Sequence, residues 1–104
     1  MLNIPETVKI GWRNYTITQS EHRTGDNGGD LLGKIFYEDR EIYLYEKLEK
    51  EEKVVTLLHE VVHGILYNMG HEMCSNENFV TGFTENLYQV IKDNQSMFNE
   101  KEEE

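Results

Sequence analysis

At 104 residues the chain is long enough for one small hydrophobic core and too short for two, so a single domain is expected over 1–104. A hydrophobic share of 38% with six Tyr and four Phe excludes a disordered chain, and twenty acidic against ten basic residues leave a net charge of −10 that argues against nucleic acid and anionic membranes as partners. Cys74 is the single cysteine, which excludes an internal disulfide and suits a reducing compartment.

The N-terminal run Met1-Leu2-Asn3-Ile4-Pro5-Glu6-Thr7 lacks a basic start followed by an apolar stretch, and nowhere do about 18 apolar residues run uninterrupted. A soluble, cytoplasmic protein is expected. The pattern then alternates: Val8 with Ile10, Tyr15 with Ile17, Ile35 with Tyr37 and Ile42 with Leu44 mark three or four short strands. Gly11-Trp12-Arg13-Asn14 is short enough to close the first pair as a hairpin and Glu38-Asp39-Arg40 the second, so antiparallel pairing is expected. Between them, Thr24-Gly25-Asp26-Asn27-Gly28-Gly29-Asp30 reads as a mobile loop, since it has three glycines and no apolar side chain to bury.

After Lys53 the period changes. Val54, Val55, Leu58, Val61, Val62, Ile65, Leu66 and Met69 fall on one helical stripe that Gly70 would stop. A second helix is expected from a Ser75 cap to about Asp93, burying Phe79, Val80, Phe83, Leu87, Val90 and Ile91. The expected fold class is α+β, a small antiparallel sheet of three to four strands followed by two packed helices. The Glu/Lys run from Glu46 to Lys53 is expected to be solvated, and residues 97–104 to form a flexible acidic tail.

The first of these helices carries His59-Glu60-Val61-Val62-His63, the pattern H-E-x-x-H. Two His four residues apart lie about 40° apart around a helix, so both imidazoles can reach one zinc ion from one face. Glu60 projects about 80° from their mean direction, near enough to take a proton from a zinc-held water without displacing either ligand. A catalytic zinc needs a third protein ligand, and the candidates downstream are His71, Glu72, Cys74, Glu77 and Glu85. Glu77 is preferred because it lies at the edge of the second helix's apolar stripe, whereas Glu85 points away from it. Cys74 ranks second and His71 third, since both stand in the turn just after the first helix. Between Val54 and Ile91 there is no Lys or Arg, which leaves Tyr67, Tyr88, His71 or the zinc itself to stabilise an oxyanion.

The run Thr56-Leu57-Leu58-His59-Glu60-Val61-Val62-His63, preceded by a sheet ending in Glu41-Ile42-Tyr43-Leu44-Tyr45, resembles the small ImmA/IrrE-type zinc metallopeptidase-like proteins of bacteriophages and mobile elements. The resemblance implies a minimal gluzincin with His59 and His63 as zinc ligands, Glu60 as general base or acid, and a Glu of the following helix as third ligand, which maps to Glu77. It also implies an edge strand, here Glu41 to Tyr45, that holds a peptide extended by strand addition, and a regulatory protein as substrate. The leading expectation is therefore a zinc-dependent metallopeptidase. The alternative is a non-catalytic, zinc-stabilised interaction module of a phage or mobile element.

Overall fold

The computed structural model describes residues 3–21 and 32–99. The glycine-rich loop expected at 24–30 lies outside the described residues, as do residues 100–104 of the expected tail; of that tail, Met97 ends a 3-10 turn, Gln95–Met97, and Phe98 and Asn99 follow it.

Strands β1 (Thr7–Ile10) and β2 (Arg13–Ser20) pair antiparallel with Ile10 opposite Arg13. Their two-residue turn places Gly11 at φ 64, a conformation that costs glycine nothing and that matches the twist of the two strands. Strands β3 (Gly33–Phe36) and β4 (Glu41–Tyr45) form the second antiparallel pair, closed by residues 37–40. Tyr37, which the alternation puts in a strand, stands in this turn instead.

The strand order is β1-β2-β4-β3, and β2 runs parallel to β4. The sheet is thus mixed: both hairpins are antiparallel, and the seam between them is parallel. Burial explains the order. Ile42 and Leu44 of β4 are 0% and 1% exposed and need neighbours on both sides, while the shorter β3, which carries Lys34, takes the edge. Glu41–Tyr45 is consequently an interior strand, and the edge strand of this hairpin is β3.

Helix α1 (Lys50–Met69) lies across the sheet. It begins ahead of its apolar stripe because Glu51 and Glu52 suit the positive end of the helix dipole. It ends at Gly70, whose φ of 64 turns the chain while its N–H and that of His71 reach the carbonyls of Tyr67 and Leu66. Gly64 lets the helix approach closely, since a Cβ there would lie 2.8 Å from Ile10 Cδ1 and 3.2 Å from Ile35 Cδ1. On this side Leu57 joins Ile10, Tyr15, Ile35, Ile42 and Leu44 in the main core. On its other side, Val62 and Leu66 pack on Val80 of the second helix with Cys74 and Leu87 against them. Two buried faces explain why Ile65 and Met69 of the single expected stripe are exposed.

Helix α2 (Glu77–Asp93) follows a 3-10 turn at Glu72–Ser75. Its cap is Asn76, not Ser75: Asn76 Oδ1 accepts the Phe79 N–H at 2.9 Å, whereas Ser75 is still inside the preceding turn. α2 meets α1 along a narrow stripe of Val80, Thr84, Leu87, Tyr88 and Ile91. Phe79, Phe83 and Val90, expected in that stripe, are 39–49% exposed. Tyr88 and Lys92 both donate to Glu51 Oε2 at 2.8 Å, which ties the end of α2 to the start of α1. No described helix is long and apolar enough to cross a membrane.

Thr84 is 1% exposed, and its hydroxyl has no hydrogen-bond partner. Thr84→Val should therefore stabilise the fold by about 1 kcal/mol, because the methyl fills the same space without a desolvated hydroxyl. A urea midpoint that rises at constant slope is the expected reading.

Candidate metal centre

One helical turn brings His59 and His63 onto the face of α1 that meets the start of α2, with ring centroids 4.9 Å apart. Glu77, the first residue of α2, reaches back between them: its Oε1 lies 3.0 Å from His59 Nε2 and its Oε2 3.1 Å from His63 Nε2. A tetrahedral zinc site with bonds near 2.1 Å has ligand-to-ligand edges of about 3.4 Å, close to these separations. The three residues offer one ligand atom each within 4.8 Å of one another, and this is the one such cluster among the described residues.

The protons decide what the cluster can hold. His63 Nδ1 donates to the Cys74 carbonyl at 2.7 Å, so the neutral ring presents a bare lone pair at Nε2. That lone pair faces a carboxylate oxygen at 3.1 Å, two acceptors in contact, which is repulsive unless a cation or an added proton stands between them. Two imidazole nitrogens and a carboxylate are a donor set that suits zinc. The side chains are 21%, 9% and 70% exposed for His59, His63 and Glu77, so the cluster is walled on one side and open on the other.

Cys74 supports the centre without joining it. Its carbonyl orients His63, and its thiol lies 3.5 Å from the His63 carbonyl and 3.4 Å from the Tyr37 hydroxyl. His71, Glu72 and Glu85, the other candidate third ligands, are outside the cluster; His71 Nδ1 accepts the Met73 N–H at 3.0 Å.

Glu60 is 6% exposed beside the cluster. Burial first, and then the Glu77 carboxylate, push its carboxyl up to about 8, with Lys34 partly offsetting them. In the metal-free protein it is thus a proton-holding group near neutrality, and a dication in the cluster would draw it back toward the carboxylate form. β3 forms the near wall: a Cβ on Gly33 would collide with Thr56 Cγ2 at 2.6 Å and stand in ordinary contact with Glu60 Oε2 at 3.4 Å, so the strand passes close against both side chains. The cleft between β3, α1 and the segment from Cys74 to Glu77 encloses about 700 Å³.

Two cleft residues are not visible from the helix pattern. Tyr37 lines the wall, and burial followed by its hydrogen bond to Cys74 raises its pKa well above the ordinary phenol value, so it stays a neutral donor. Lys34 of β3 supplies the cation that the stretch between Val54 and Ile91 lacks. Tyr88, in contrast, is committed to Glu51 at the far end of α2, and Tyr67 stacks on Tyr37 from outside the cleft. The signal for Tyr37 and Lys34 was their place on the β3 hairpin, which only the strand order carries to α1. No family model, curated protein or solved structure matches the chain.

Proposed function

We propose that the protein is a zinc-dependent peptidase in which His59, His63 and Glu77 hold the metal and Glu60 moves the proton. The observation that carries this reading is the facing of the His63 Nε2 lone pair and the Glu77 carboxylate at 3.1 Å, beside a buried acid in an open cleft. When bound, zinc supplies Lewis acidity toward a carbonyl oxygen and a water molecule. Glu60, as carboxylate, accepts the proton of the attacking water and returns it to the departing amine nitrogen. Tyr37 offers a neutral O–H on the same wall for the oxygen that gains charge. β3 is an edge strand, so an extended peptide can add to it and lie along the cleft. A regulatory protein presented in this way in the cytoplasm is the substrate class that the ImmA/IrrE-type resemblance of Thr56 to His63 favours, and Cys74 would stay reduced there.

Elemental analysis of chain purified without chelator tests the reading. Wild type should carry about one zinc per chain, and Glu77→Ala should lose it, since removing one of three ligands weakens zinc by at least the 10–100-fold seen for supporting residues alone. Zinc-loaded wild type should then generate new termini in a degenerate peptide pool read by mass spectrometry. No zinc in wild type after adding it back overturns the proposal; zinc without cleavage leaves the metal as a structural staple of an interaction module.

A further inference from the structure

Behind the cleft wall at Tyr37 stands an exposed aromatic and cationic strip. Tyr37 stacks on Tyr67 of α1 with ring centroids 4.0 Å apart and planes 3° apart. Arg13 lies 6.0 Å over the Tyr67 ring and 4.6 Å over Trp12, and Arg40 lies 5.0 Å over Trp12. The strip thus runs from the cleft wall to the β1–β2 turn, with Trp12 66% and Tyr67 41% exposed.

Its chemistry is opposite to that of the rest of the molecule. The chain has twice as many acidic as basic residues, yet neither guanidinium has a carboxylate partner among the described residues. Arg13 Nη1 donates to Asn68 Oδ1 at 2.9 Å, and Asn68 Nδ2 donates to the Ile10 carbonyl at 3.0 Å, which together tie Arg13 and its hairpin to α1. Arg40 holds φ 55, a backbone region that favours Gly or Asn, so the turn geometry does not by itself select an arginine there.

We propose that this strip binds an acidic stretch of the peptide that occupies the cleft, an inference that rests on the peptidase reading. Guanidinium forks take carboxylates in bidentate fashion, and exposed Trp, Tyr and Arg are the residues on which binding energy concentrates. Continuity places the stretch. β3 starts at Gly33, against Glu60, and Tyr37 follows its last residue, so a strand added to β3 beside Glu60 reaches the strip in about four residues, or about 13 Å. A nucleic acid strand is disfavoured as occupant by the net charge of −10.

Trp12 is the only tryptophan, so its emission reports occupancy of the strip directly. The probes are two pools of degenerate octapeptides extended at either end by four Glu or by four Gln, titrated into zinc-loaded Glu60→Gln so that bound peptide stays intact. The Glu pool should bind about tenfold tighter at low salt, and about 0.5 M salt should erase the difference by screening. Arg40→Gly should abolish the preference; glycine relieves the left-handed backbone, and a melting temperature at or above that of wild type separates lost binding from lost folding. Equal affinity for both pools, an emission that does not respond, or an Arg40→Gly variant that keeps the preference overturns the proposal. Incubating both pools with zinc-loaded wild type separates the two readings: cleavage without acidic preference overturns the strip alone, and acidic binding without cleavage overturns the peptidase alone.

Discussion

Glu60→Gln should keep about one zinc per chain and lose peptide hydrolysis by about 10²–10⁴-fold, the usual contribution of a positioned general base. The amide matches the carboxyl in size, so the space between α1 and Gly33 stays filled, and Glu60 is not among the three residues whose ligand atoms converge. What the variant cannot do is accept a proton from water. The two readouts are therefore expected to separate, with metal content unchanged and turnover gone. Cleavage at the wild-type rate by the zinc-loaded variant would remove Glu60 from the chemistry and with it the proposed mechanism.

How far such a site could be read from the sequence depended on whether its parts share one element. His59, Glu60 and His63 stand within one turn of α1, where a fixed 3.6-residue period dictates which side chains share a face. Glu77 was within reach of the same argument because it opens the next helix, at the edge of an apolar stripe. The orientation of His63 by the Cys74 carbonyl was not, since a backbone acceptor in a 3-10 turn leaves no mark on residue type. Tyr37 and Lys34 come from the β3 hairpin and required the strand order, which local alternation does not contain.

The same division runs through the fold. Both hairpins and both helices follow from period and punctuation, with Gly11 and Gly70 at the positive φ values that their positions require. The parallel seam between β2 and β4 follows instead from competition for the sheet interior, which β4 wins through Ile42 and Leu44. The buried face of α2 departs from its apolar stripe for a related reason. α2 packs on α1 and on the short 3-10 turn before it, which is too narrow a contact for a stripe of six apolar residues, so Phe79, Phe83 and Val90 stay half exposed while the small Thr84 is buried.

The buried acid also sets an unusual pH dependence for the metal-free protein. Glu60 titrates near 8 in the folded chain and near the ordinary 4.5 when unfolded. Between these values the folded chain holds one proton that the unfolded chain releases, so stability falls as pH rises, by up to about 1.4 kcal/mol per pH unit. Below about 4.5 the residue contributes nothing, and above about 8 the full cost is present. In chelator, wild type and Glu60→Gln should melt close together at pH 5, and by pH 8 the Gln variant should be more stable by about 3–4 kcal/mol, or roughly 15–30 °C, given that 1 kcal/mol shifts a domain of this size by about 4–8 °C. Zinc reverses the trend: it binds deprotonated His and carboxylate, so its stabilisation grows over the same interval, and a dication beside Glu60 removes the penalty for charging it. Melting curves at pH 5 and pH 8, with chelator and with excess zinc, should therefore diverge as pH rises. A metal-free wild type that keeps pace with Glu60→Gln across that interval would mean that the Glu60 carboxyl is already ionised in the fold, and that desolvation beside Glu77 does not tune it.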